Sequence, residues 1–222
     1  MSEFEATFFD MDGVTVETAH VWRDVEETYV LPNAIESGTP DQTAVRALSV
    51  TDSYERLASM DGVALAVDRD EFTRLYEEQV EEIYGERARL LPGYHELLAA
   101  LDVAGHRVGL VSASERAWVE RVIDRFDLHD AFDIVVGADD VTGPSKPAPD
   151  CYERAAKAVS VDPERSIAVE DTPHGIEAAS GAGMYCLALR GNGNADLDLS
   201  LADDVADGPA DLGELIRGLI HD

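Results

Sequence analysis

The sequence predicts an α/β fold: a Rossmann-like parallel sheet core interrupted by one all-helical insertion. Strand-like apolar runs near 5–10, 107–111, 133–136, 166–170 and 184–189 alternate with helix-like stretches near 94–104, 115–126, 150–159 and 174–182. Such alternation implies right-handed crossovers and a doubly wound sheet. The segment 16–88 breaks that rhythm and has no strand pattern. Within it, Phe72, Leu75, Tyr76, Val80 and Ile83 recur at helical spacing, with Glu71, Glu77, Glu78, Glu81 and Glu82 largely on the other face. At 222 residues one or two domains are expected. The expected division is 1–15 with 89–222 for the core, and 16–88 for the insertion.

Taken in order, Ala6-Thr7-Phe8-Phe9 reads as a buried strand that delivers the chain into Asp10-Met11-Asp12-Gly13-Val14. Ligands of open parallel sheets bind at the carboxyl ends of strands, so two carboxylates just past such an end are placed for chemistry. One can be a nucleophile or metal ligand and the other an acid and base. In so acidic a chain, a solvated turn would look the same, and the later runs decide the matter. Arg107–Val111 ends at Ser112-Ala113-Ser114, and Ser166–Val169 ends at Glu170-Asp171-Thr172. Between them lies the proline-framed Ser145-Lys146-Pro147-Ala148-Pro149-Asp150. Pro92-Gly93 marks re-entry into the core. Residues 190–210, rich in Gly, Asn and Asp, read as loop before a last helix around 211–220.

The chain carries 46 acidic residues against 17 basic ones, a net charge of −29. Only two of the basic residues are lysines, Lys146 and Lys157; the first falls inside the polar pattern, and the second reads as helix surface. A large like-sign charge repels itself in the compact state, a lever that halophiles use. At about 1 M salt the Debye length is only ~3 Å and the repulsion is screened. The composition therefore predicts a cytoplasmic protein of a cell with a very salty cytosol. Disorder is disfavoured by a 45% hydrophobic content with clear periodicity. Nucleic acid is not expected as a partner, because no basic patch exists to meet phosphates. Membrane insertion is not expected either: no apolar run approaches the ~20 residues of a spanning helix, and Met1–Glu5 lacks a basic leader. Cys151 and Cys186 are expected to be packed thiols.

The ordered set DMDGV, VSAS, KPAPD and VEDTPHGIEAA resembles the haloacid dehalogenase-like superfamily, in particular its phosphatase and phosphomutase branch. The resemblance spans essentially the whole chain. It implies that Asp10 is a nucleophile forming an aspartyl-phosphate and that Asp12 is the general acid and base. Ser112 and the adjacent Ala113 would bind the phosphoryl group, and Lys146 would neutralise nucleophile and phosphate. Mg2+ would be held by Asp10, the main-chain carbonyl of Asp12 and Asp171, with Glu170 in or beside its shell. The inserted helices would be a cap of the type the family carries there.

Each assignment agrees with the chemistry. Phosphoryl transfer needs positioning and charge neutralisation, Mg2+ takes oxygen ligands, and lysine suits phosphate as a point charge. Two departures from the family pattern bear on specificity. Thr15-Val16-Glu17-Thr18 replaces the common apolar pair and Asp-Ser. Trp22 stands where sugar-phosphate mutases commonly carry histidine. His20, Arg23, Arg46, Tyr54 and Arg56 are candidate cap contacts, each also readable as surface or packing, and Arg116 is a candidate contact for a substrate anion. The resulting expectation is a magnesium-dependent phosphatase of a small phosphorylated metabolite, of phosphoglycolate or sugar phosphate type. A phosphomutase of the same fold is the alternative. A phosphoacceptor receiver fits less well, being much shorter and lacking a cap.

Overall fold

The computed structural model of the chain describes residues 3–40, 48–191 and 193–221. Its first half holds β1 (Ala6–Phe9), α1 (Ala19–Val25), α2 (Leu31–Ala34), β2 (Ile35–Ser37), α3 (Val50–Ala58), β3 (Ala64–Leu65), α4 (Arg69–Val80) and α5 (Tyr94–Ala104). Then follow β4 (Arg107–Val111), α6 (Arg116–Phe126), β5 (Ile134–Val136), α7 (Asp150–Val159), β6 (Ser166–Glu170), α8 (Pro173–Gly181), β7 (Tyr185–Leu189), β8 (Asp204–Ala206) and α9 (Pro209–His221). Wider π-type turns continue α1 over Glu26–Val30 and α4 over Glu81–Arg87.

Six parallel strands lie in the order β5-β4-β1-β6-β7-β8. The chain builds outward through β4 and β5, then returns to the far side of β1 for β6. That reversal opens a crevice at the carboxyl ends of the three central strands. Register makes the ends level, since Phe9 pairs with both Leu110 and Val169.

Alternation along the buried strands sends side chains to two cores. Phe9, Leu110, Val169 and Leu187 pack with α5, α6 and α9 residues such as Leu101, Val122 and Ile216. Phe8, Val111, Ala168 and Cys186 pack with Tyr152 and Ala155 of α7 and Ile176 of α8. Cys151 and Cys186 are both buried free thiols, as expected from their sequence context.

Among the described residues of 16–88, α4 follows the helical spacing read from its sequence, and α3 and α4 each have a side-chain N-cap. Ser49 Oγ accepts from Asp52 N at 3.1 Å at the start of α3, and Asp68 caps α4 through Glu71 N at 2.9 Å. Phe72, Leu75, Tyr76, Val80 and Ile83 are all buried, in one cluster with Leu97 and Trp118.

Two short features depart from expectation. The insertion is not entirely helical, because β2 and β3 form an antiparallel ribbon. Strands of three and two residues are too short to display a period. Residues 190–210 are not all loop, because β8 adds a sixth strand at the sheet edge, with only Ala206 fully buried. The chain leaves and re-enters the core side by side: Glu17 N donates to Arg89 O at 2.8 Å and Leu91 N to Thr15 O at 3.0 Å. Among the described residues, no helix is long and apolar enough to cross a membrane.

Candidate active site

Asp10 leaves β1 with its N–H still bonded to Val169 O at 3.0 Å, so the sheet fixes its backbone. Thr15 Oγ1 donates to Asp10 O at 2.8 Å and is itself paired with Tyr94 OH at 3.0 Å. The Asp10 side chain meets Lys146, whose Nζ donates to Asp10 Oδ1 at 2.5 Å, to Glu170 Oε1 at 2.6 Å and to Val111 O at 3.2 Å. An ammonium has three hydrogens, and all three are used. Burial alone would pull the Lys146 pKa down, but the Asp10 and Glu170 carboxylates hold it well above its ordinary value. Tyr152 OH completes the Glu170 contacts, donating to Oε1 at 2.6 Å.

Asp171 follows Glu170 at the end of β6 and is buried. Its main-chain carbonyl accepts from Asn194 Nδ2 at 2.7 Å, yet its Oδ1 has no hydrogen-bond partner. Burial, then the charges of Asp10 and Glu170, push its carboxyl well above the usual range. The carboxylates of Asp10, Glu170 and Asp171 each offer an oxygen within 4.8 Å of the others. Three buried carboxylates against one ammonium leave uncompensated negative charge, which is costly away from water. The orphaned oxygen and the charge imbalance fit a divalent cation such as Mg2+, which takes carboxylate oxygens.

Two glycines admit this geometry. A Cβ on Gly13, whose φ is +93°, would sit 2.1 Å from Asp171 Oδ2, and one on Gly175 would sit 1.9 Å from Glu170 Oε2. A side chain at Gly13 or Gly175 would push a carboxylate out of the cluster.

Asp12 stands apart from the carboxylate cluster. Thr18 Oγ1 donates to its Oδ1 at 2.5 Å, Tyr84 OH reaches Oδ1 and Oδ2 at 3.0 and 2.9 Å, and Ser114 Oγ donates to Oδ2 at 3.2 Å. Burial raises its pKa to about 6, although the Thr18 bond opposes the rise. Ser112 is anchored by its N–H to Val136 O at 2.9 Å, and its Oγ accepts from Ser114 N at 3.0 Å.

Asp10, Asp12, Ser112, Ala113, Lys146 and Asp171 all line one cleft, which continues past Trp22, Arg23, Tyr76 and Trp118. Seven of the eight sequence-read positions thus converge, with Glu170 behind Lys146. Arg116 does not join them. Its guanidinium is turned to Val135 O at 2.8 Å, Asp140 at 3.2 Å and Glu120 at 3.2 Å, outside the cleft lining. Of the cap candidates, Arg23 lines the cleft. His20 lies in a neighbouring depression with Arg190 and Asn194. Tyr54 packs edge-on against Phe72, and Arg56 is exposed on α3. Arg46 falls outside the described residues. The sequence reading gives no site role to Thr18, Ser114, Tyr84 or Tyr152. Ser114 closes the VSAS run, which was a usable signal, whereas Tyr84 and Tyr152 sit in ordinary helical patterns.

Comparison with known proteins places these features in a family. The family model described as haloacid dehalogenase-like hydrolase matches residues 4–183. Hexitol phosphatase B of Escherichia coli (strain K12) is 30% identical over 188 residues, covering 83% of this chain and 82% of its own length. The crystal structure of CbbY from Rhodobacter sphaeroides in complex with phosphate is 27% identical, with a TM-score of 0.75 over 92% of this chain and 94% of that one. The β-phosphoglucomutase structure from Clostridium difficile is 26% identical, with a TM-score of 0.77 over 98% and 97% of the two chains.

Proposed function

The chain belongs to the haloacid dehalogenase-like hydrolases as a phosphoric monoester hydrolase, and from that premise we propose a magnesium-dependent phosphatase of a small phosphorylated metabolite working through Asp10. The observation that carries this reading is Lys146 saturated between Asp10 and Glu170 while a buried Asp171 oxygen has no partner. Mg2+ held by Asp10, Asp171 and the main-chain carbonyl of Asp12, with Glu170 beside it, would supply positive charge against the phosphoryl oxygens.

The chain's own residues carry the steps. Lys146 engages Asp10 Oδ1 and leaves the other oxygen to attack phosphorus. Ser112 and Ala113, at the end of β4, meet the phosphoryl oxygens. As the ester P–O bond breaks, its electron pair goes to the leaving oxygen, which takes the proton of Asp12. Asp12, now a carboxylate, removes a proton from water. The water oxygen attacks the aspartyl-phosphate, its bond to Asp10 breaks, and inorganic phosphate leaves. Splitting one displacement into two lowers each barrier, and the proton transfers are worth about 10²–10⁴-fold.

Residues 16–88 act in this reading as the cap that closes over the substrate, and the paired segments at 15–17 and 89–91 are its hinge. The cleft beyond the phosphate-binding residues, walled by Trp22, Arg23, Tyr76 and Trp118, suits the organic part of a sugar or polyol phosphate. The relative named hexitol phosphatase B, and a CbbY structure in complex with xylulose-1,5-bisphosphate, support that substrate class. The net charge of −29 supports work in a salty cytoplasm and argues against nucleic acid as a substrate. A phosphomutase is the second reading, favoured by the likeness to β-phosphoglucomutase and opposed by Trp22 at the position of the mutase histidine.

A panel of phosphorylated metabolites assayed for phosphate release at molar salt, with Mg2+ and with chelator, tests both readings. Chelator-sensitive release from a sugar or glycolate phosphate is expected. Isomerisation that needs a bisphosphate, without net phosphate release, would replace the phosphatase by the mutase.

A further inference from the structure

We infer that Tyr84, oriented by Trp22, is a positioning residue that aims the Asp12 carboxyl, so that the acid–base group is complete only when the insertion's return stretch is seated on the core. This rests on the reading of Asp12 as the proton-transfer group.

Four segments meet at this point. Tyr84 lies in the π-type turn Glu81–Arg87 and is fully buried. Its hydroxyl is within hydrogen-bond distance of both oxygens of Asp12, at 3.0 and 2.9 Å. Trp22, on α1, points its indole Nε1 at the same hydroxyl at 2.9 Å. An indole nitrogen only donates. It therefore occupies a lone pair of the phenol oxygen and turns the phenol hydrogen away from itself, towards Asp12. Ser114, past β4, sits 3.3 Å from Tyr84 OH and donates to Asp12 Oδ2.

The indole has little freedom to turn. It is stacked on Trp118 of α6 at 5.8 Å and 15°, and flanked by Tyr76 at 5.6 Å and Tyr84 at 5.8 Å. The turn carrying Tyr84 is tied down from the core as well. Arg125 of α6 donates to the carbonyls of Tyr84 and Glu86, and Arg121 pairs with Glu81. Lifting residues 81–87 away from α6 would take the phenol from Asp12 and leave its carboxyl held by Thr18 and Ser114 alone. π-type turns recur at functional sites, and this one carries the side chain that reaches the carboxylate.

A tyrosine that merely packs would act on every substrate alike, whereas one that aims a proton donor acts through the leaving group. Tyr84→Phe is therefore compared with the parent in rapid-mixing assays on an alkyl phosphate and an aryl phosphate, with vanadate affinity as a binding control. Alkyl alcohol release in the first turnover should fall about 10- to 100-fold, a part of the 10²–10⁴ that proton transfer supplies. The aryl phenolate burst, which needs that proton less, should stay within about threefold, with vanadate affinity unchanged. Trp22→Phe should show the same ester selectivity at smaller amplitude, and Trp22→His, which keeps a ring N–H, should recover part of it. Equal losses on both esters, or none on either, in the variants that fold would overturn the inference. A burst surviving in Asp10→Asn would instead overturn the aspartyl-phosphate reading beneath it.

Discussion

Asp52, in the first turn of α3, accepts hydrogen bonds from both the backbone N–H and the hydroxyl of Ser145, the residue just before Lys146. Ser49 Oγ donates to the same Asp52 oxygen at 2.7 Å, and Ser49 N donates back to Ser145 Oγ at 3.2 Å. The insertion thus grips the loop that presents the central cation.

Asp52→Ala should loosen that loop without touching the reacting groups. Three partly buried hydrogen bonds to its carboxylate are lost, worth about 1 kcal/mol each. Melting should fall accordingly, and KM for the phosphate ester should rise several-fold while turnover changes less. An unchanged melting temperature together with an unchanged KM would mean that the contact does not hold the loop.

Asp10→Asn keeps the size of the side chain and removes the attacking oxygen. Turnover should drop by at least about three orders of magnitude, the scale of a lost key catalytic group. Circular dichroism should stay that of the parent, and near-parental phosphate release would refute the covalent route.

Asp171 yields a pH signature in the metal-free protein. Its folded-state pKa lies well above the ordinary 3.8, so the folded state holds a proton that the unfolded chain has already lost. The resulting stability is fully present below about pH 3.8 and drains away as pH rises through the folded value. Denaturant unfolding with chelator should therefore show this site's contribution falling from pH 4 towards neutrality. Asp171→Asn should flatten that slope, and Mg2+ should restore stability at neutral pH in the parent but much less in the variant. A parent slope unaltered by the substitution would remove Asp171 as its origin.

Dilute buffer should loosen the whole chain. At 0.01 M salt the Debye length is about 30 Å, so the 46 acidic side chains repel across most of the molecule. Circular dichroism and phosphate release followed from dilute buffer to several molar KCl should rise together, with Mg2+ still required at the top. Full folding and activity in dilute buffer would reject salt adaptation.

The sheet and the end of the cleft that holds Asp10, Ser112 and Asp171 were legible because β1, β4 and β6 each run straight from a buried apolar stretch into a functional group. A reader needs only the strand ends to place Asp10, Ser112 and Asp171 together. The surroundings of Asp12 were not legible, because Thr18, Tyr84 and Ser114 lie 6, 72 and 102 residues from it and acquire a role only once three segments pack. Arg116 was misplaced for a related reason. It lies two residues past the VSAS run, but a residue opening a helix can turn either way, and the acidic Glu120 and Asp140 with Val135 O drew it off. β8 escaped because an edge strand with one buried face in three residues leaves almost no hydropathy trace.

The side-by-side exit and return of the chain at Thr15–Glu17 and Arg89–Leu91 has an evolutionary consequence. Two backbone hydrogen bonds close the core beneath the insertion, so whatever is spliced between them need only begin and end a few ångströms apart. A lineage can then lengthen, trade or redraw that segment, and with it the cleft wall that Trp22, Arg23 and Tyr76 supply, while β1, β4 and β6 keep their register.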